Sequence, residues 1–130
     1  MPGPYSWKNI LRGAIEANRD GGQWWKATQY ALAFQAQEDA RRGYPRPTRK
    51  DGYYSESDAA GTRIGQFIGP NGDITSERPH VHIIHNEGEG KIIFVVTQRD
   101  GSHSNQQYLP ITASGNEVNA MVDRLRHELR

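Results

Sequence analysis

Cysteine is absent from the 130 residues, which excludes disulfide frameworks, thiolate metal sites and thiol catalysis and leaves the redox compartment open. Long apolar runs are absent as well. No segment approaches the roughly 18 apolar residues of a membrane helix, and the opening stretch MPGPYSWKNILRGAIEANRD has no apolar core of signal-peptide length. We therefore expect a soluble domain with no membrane partner, either cytoplasmic or secreted without a recognisable signal peptide. Charge of one sign is not in excess either. Sixteen Lys+Arg stand against fifteen Asp+Glu, so global charge names no partner and only local clustering can. Hydrophobic residues make up 35% of the chain and fourteen residues are glycine, which implies a small core and generous loops. Glycine-rich phosphate cradles, Ser-His-Asp arrangements and helical metal motifs are missing too. The length is that of one domain.

The order of elements is legible from periodicity. Trp7, Ile10, Leu11, Ala14 and Asn18 have helical spacing, with Ser6 placed to cap and Gly21 to stop a helix over about 7–19. Trp24, Ala27, Ala31 and Phe34 predict a second helix over about 23–42, ended by Arg41-Arg42-Gly43. The tryptophans at that spacing read as core rather than as a ligand box. YPRPTRKDGYYSESDAAG, residues 44–61, has no periodic apolar face and reads as a long loop. RIGQFIG then alternates as a strand, and Pro70-Asn71-Gly72-Asp73 predicts a hairpin whose second strand begins near Ile74. HVHIIH and KIIFVVTQ follow, joined by NEGEG, with a last strand across 106–109 after the turn at Asp100-Gly101-Ser102. Ser114 and Glu117 have capping-box spacing and open a final helix over 114–130, with Val118, Met121, Val122, Leu125 and Leu129 on its apolar face. The expected fold is α+β: two N-terminal helices, a four- or five-stranded antiparallel meander, and a C-terminal helix packed on one sheet face.

Three of the five histidines, His80, His82 and His85, fall within six residues. Strand alternation sets His80 and His82 on one face and Val81, Ile83 and His85 on the other. With Gly88-Glu89 as a two-residue loop, Val81 faces Val96, Ile83 faces Phe94 and His85 faces Ile92, which makes that side the core. His80 and His82 then stand beside Thr97, Val95 and Ile93. Two imidazoles on one face can act as base and acid in turn near neutral pH. They can equally be two ligands of a metal site that lacks a third, or ordinary histidines on an open sheet face.

Two family resemblances attach to this stretch. With Glu87, HxHx4E is similar to the first motif of cupin barrels and would imply a metal site, but Phe94 stands where that motif needs glycine and its second motif is absent. HVHIIH resembles the histidine triad of nucleotide hydrolases, except that the third histidine comes one residue late and faces away. The broad plan of helices followed by a histidine- and arginine-bearing sheet is also similar to small bacterial ribonucleases of the barnase and toxin kind.

Arg41, Arg42, Arg46, Arg49 and Lys50 place five cations in ten residues, next to Tyr44, Tyr53 and Tyr54, a composition suited to gripping phosphates and stacking bases. The expected function is a metal-independent endoribonuclease or phosphodiesterase that needs no cofactor. His80, His82 and His103 would serve as acid–base groups, Arg78 and Arg99 would lie near the phosphate, and Arg46, Arg49, Lys50, Tyr53 and Tyr54 would hold RNA or another nucleic acid. The alternatives are a non-enzymatic module binding a protein or nucleic acid, and a metalloprotein built on His80 and His82. His103 is expected on a polar loop and His127 as C-terminal decoration of the last helix.

Overall fold

The computed structural model describes residues 49–130, with Gly13, Glu16, Glu38, Asp39 and residues 41–43 besides. The two helices expected over 7–19 and 23–42, and Arg46, lie outside the described stretch. A 3₁₀ turn at Arg49–Asp51 leads into strands β1 (Tyr53–Asp58), β2 (Gly61–Ile68), β3 (His80–Asn86), β4 (Lys91–Thr97) and β5 (His103–Pro110), and helix α1 (Gly115–Arg126) follows. The strands form one antiparallel sheet in the order β1-β2-β3-β4-β5, the meander that short turns between successive strands produce. Among the described residues no helix is long and apolar enough to cross a membrane.

Two sequence expectations are corrected here. Residues 53–58 belong to a strand and not to a long loop, and β1 pairs with β2 from Tyr53↔Gln66 to Asp58↔Gly61. The sequence YYSESD hides this because β1 is an edge strand, where charged residues replace apolar alternation. Its Glu56 pairs with Arg49 at 3.3 Å and with Arg63 at 3.5 Å. Second, no strand begins at Ile74. The turn at 70–73 forms, with Gly69 N–H donating to Asp73 O at 2.8 Å, but the returning chain makes only a single bridge, Ile68↔Ile74. The place beside β2 is taken by β3, whose own apolar residues continue the core: Ile68 meets Val81.

The β3–β4 register is the expected one, with Val81↔Val96, Ile83↔Phe94 and His85↔Ile92. The turn is wider than two residues, closing after Asn86↔Lys91, but it stays centred on Gly88-Glu89 and so keeps the pairing. Ile68, Val81, Ile83, Ile92, Phe94 and Val96 form one buried cluster with Val118, Val122 and Leu125 of α1, each no more than 2% exposed. Burying a side chain of this size contributes about 1.5–3 kcal/mol. The capping box is made as its spacing predicts, Ser114 accepting from Glu117 N–H while the Glu117 carboxylate reaches back to Ser114 N–H. Helix α1 ends at Arg126, short of the expected 130, and the last residues turn back so that Arg130 N–H donates to Gln98 Oε1 and Arg99 N–H to Arg130 O.

Candidate active site

Because side chains alternate across a strand, the face opposite the core carries His80 and His82 from β3, Phe67 from β2, Tyr54 from β1 and Thr97 from β4. His103 joins them through an irregularity. Val96 pairs with Asn105, yet the next residue, Thr97, pairs with His103, so Ser104 is an extra residue in β5. Regular pairing would put Ser104 opposite Thr97 and turn His103 to the core side; the bulge re-aims it. His103 is thus a strand residue and not part of a polar loop. His80, Thr97 and His103 now form one row across β3, β4 and β5.

A groove of about 430 Å³ opens on this face, lined by three imidazoles, His80, His82 and His103, and three cations, Arg49, Lys50 and Arg78, around Phe67. The imidazoles are held in three different ways. His80 is buried, and its Nδ1 lies 3.0 Å from the Glu77 carbonyl oxygen. A carbonyl can only accept, so Nδ1 carries the proton and Nε2 keeps the lone pair. Burial pushes the His80 pKa below its ordinary value, the Glu77 carbonyl opposes this, and the positive charges of Arg78 and His103 add to the lowering.

His82 is stacked on Phe67, with ring centroids 4.3 Å apart and planes at 18°, and its Nε2 lies 3.1 Å from the Tyr54 hydroxyl. Burial first, then the charges of His80, Arg49 and His103, push its pKa down to about 3. Burial also raises the Tyr54 phenol above its usual value. Tyr54 therefore keeps its proton and donates to a neutral His82. The Tyr54 ring crosses Gly65, where a side chain would collide with it, and lies under the Arg49 guanidinium, 4.6 Å from its centroid. His103 is exposed, with Nδ1 3.2 Å from Thr97 Oγ1.

Of the cations, Arg49 is matched by Glu56 at 3.3 Å. Neither Lys50 nor Arg78 forms an ion pair among the described residues. Arg78 packs over Gly101, whose bare Cα gives its guanidinium room. Lys50 and Arg78 thus line the same groove as His80 and His82, whose pKa values burial lowers.

Other expected site residues are placed elsewhere. Arg99 is exposed in the β4–β5 turn, held through its backbone to Arg130, and does not line the groove. Tyr53 faces the core side and is 2% exposed, and Tyr54, at 4%, is committed to His82, so neither ring is free to stack on a base. The sequence places both on a loop; strand formation buries them. His85 lies on the core side as alternation predicts, with its pKa lowered chiefly by burial. Glu87 is exposed in the β3–β4 turn, about 16 Å along the strand from His82 at the usual rise per residue. Among the described residues no three His, Asp or Glu side chains are grouped so as to hold one metal ion. Thr97 stands beside His80 as the sequence register predicts, whereas Phe67 and the Tyr54–His82 bond are parts of the site that sequence reasoning misses; alternation within RIGQFIG is the one available signal, for Phe67.

No protein-family model, curated protein or solved structure matches the chain.

Proposed function

We propose that this groove binds a phosphodiester of RNA and cleaves it, with base, acid and counter-charges all supplied by the chain. The observation that carries the reading is the row His80–Thr97–His103 beside two unpaired cations. Two strand spacings separate the histidine backbones, about 9–10 Å, so the two rings can flank a phosphate. His80, its pKa lowered chiefly by burial, is neutral near pH 7, and no hydrogen bond to its Nε2 is seen among the described residues. It accepts the proton of the ribose 2′-hydroxyl as O2′ attacks phosphorus. The P–O5′ bond breaks, His103 gives its proton to the leaving oxygen, and the products are a 2′,3′-cyclic phosphate and a 5′-hydroxyl. Lys50 and Arg78, with Arg49 behind them, counter the charge that grows on the non-bridging oxygens.

His82 takes a different part from the one its sequence spacing suggests. An imidazole with pKa about 3 is a weak base at neutral pH, and its Nε2 is already bonded to Tyr54. It is a positioning residue that seats Phe67 and the groove floor.

The test is cleavage of a labelled single-stranded RNA by the full chain in the presence of a chelator, with analysis of the product ends. Wild type should yield 2′,3′-cyclic phosphates and leave the matching DNA intact, since DNA has no 2′-hydroxyl. His80→Ala and His103→Ala should each reduce kcat/KM by about 10²–10⁴-fold. RNA that binds without being cut, or full activity in His80→Ala, would overturn the catalytic reading. The first outcome would favour a non-enzymatic binding module.

A further inference from the structure

The face that carries the groove continues beyond it along β4 and β5. On that half stand Lys91, Ile93, Val95 and Thr97 from β4, and His103, Gln106, Tyr108 and Pro110 from β5. None is a carboxylate. The acids on this face, Glu56 and Asp58, lie at the β1 edge and are tied to arginines, Glu56 to Arg49 and Arg63 and Asp58 to Arg63. Ile93 and Val95 are half-buried and make an apolar floor. On its rim Tyr108 is 51% exposed, the one exposed large hydrophobic side chain among the described residues. Gln106 donates from Nε2 to the Tyr108 hydroxyl, and the Lys91 ammonium lies 5.0 Å from the ring centroid. The ring is therefore oriented on two sides.

We infer that this half of the sheet is the track for single-stranded RNA leading away from the scissile phosphate, with Tyr108 stacking a base and Lys91 meeting the adjoining backbone phosphate. The inference rests on the cleavage reading for which phosphate lies at His80 and His103, and it extends the site to flanking nucleotides. Tyr108 pairs with Ile93, four residues from Thr97 along β4, or about 13 Å. At that distance its ring is out of reach of the nucleotide being cut and available to a neighbour on the same strand. Stacking suits an exposed tyrosine because every base has a π face, and cations beside the ring suit a phosphate backbone. Gln106, between His103 and Tyr108, carries both a donor and an acceptor and can meet a base edge in either sense. Charge decides between a polyanion with planar bases and an acidic polypeptide only in part. The aromatic surface decides for nucleic acid.

Binding of a 2′-O-methyl hexanucleotide, which lacks the attacking hydroxyl, measures the track apart from catalysis. Fluorescence anisotropy should give a Kd about tenfold weaker for Tyr108→Ala than for wild type, near wild type for Tyr108→Phe, and a salt dependence shallower by about one charge for Lys91→Ala. In cleavage assays the advantage of a hexanucleotide over a dinucleotide in kcat/KM should shrink by a similar factor in Tyr108→Ala. An unchanged Kd in Tyr108→Ala overturns the track while dinucleotide cleavage by wild type keeps the active-site reading. Tyr108-dependent binding with no cleavage of any RNA does the reverse. Equal competition by polyglutamate would mean that the face recognises charge alone, and the base-stacking assignment would fall.

Discussion

Replacing Gly65 with alanine drives a methyl group into the Tyr54 ring. An ideal Cβ at Gly65 lies 2.0 Å from Tyr54 Cε1, 2.3 Å from Cζ and 2.7 Å from Cδ1, distances that no relaxation of the methyl itself can relieve. The ring has little room to retreat, with Phe67 at 6.1 Å and His82 at 5.7 Å between centroids and Arg49 above it at 4.6 Å. If it moves, the 3.1 Å bond to His82 is lost and a buried hydroxyl is stranded. Overpacking costs about 1–3 kcal/mol and an orphaned buried polar group about 1–3, while alanine's smaller backbone entropy returns about 0.5–1, for a net loss of about 1–5 kcal/mol. Urea unfolding of a double-mutant cycle measures it. Tyr54→Ala alone removes a buried aromatic and should cost about 3–5 kcal/mol. Adding Gly65→Ala to Tyr54→Ala should cost nothing further, because the colliding ring is gone. Additivity of the two changes within about 0.5 kcal/mol would refute the claim that Gly65 exists to admit Tyr54.

Acid should destabilise the fold through the histidines. His82 titrates at about 3 in the folded chain against 6.5 unfolded, so between those values the unfolded chain binds a proton that the folded chain refuses. Stability is then complete above about pH 6.5 and falls toward pH 3, with a slope approaching 1.4 kcal/mol per pH unit per histidine. His80 and His85, also shifted down, act in the same direction; urea midpoints across this range should show a shallower acid limb for His82→Gln than for wild type. Gln66 is 2% exposed with neither amide atom hydrogen-bonded among the described residues, so Gln66→Met should leave thermal stability unchanged or raise it by up to about 1 kcal/mol, and a clear loss would reveal a partner for the amide. Ser114→Ala removes the capping box of α1 and should cost about 1 kcal/mol in thermal unfolding.

The elements that local rules govern are legible in the sequence itself. Strand alternation settles the faces of His80, His82 and His85, the position of the NEGEG turn settles the β3–β4 register, and Ser114 with Glu117 marks the start of α1. These depend on contacts between residues close in sequence, so the pattern is written where it acts. The groove is of another kind. Tyr54 reaches His82 across 28 residues of chain, over a glycine that matters only because that ring lies on it. Nothing in YYSESD announces a strand, since an edge strand needs no apolar alternation. His103 faces the site because one extra residue shifts β5 by half a period, and a bulge answers to its partner strand more than to its own sequence. The difference between His80 and His82, identical in spacing and on one face, also belongs to the tertiary structure. A carbonyl three residues upstream fixes the tautomer of one, while a phenol and a phenyl ring from two other strands bury the other and hold it neutral.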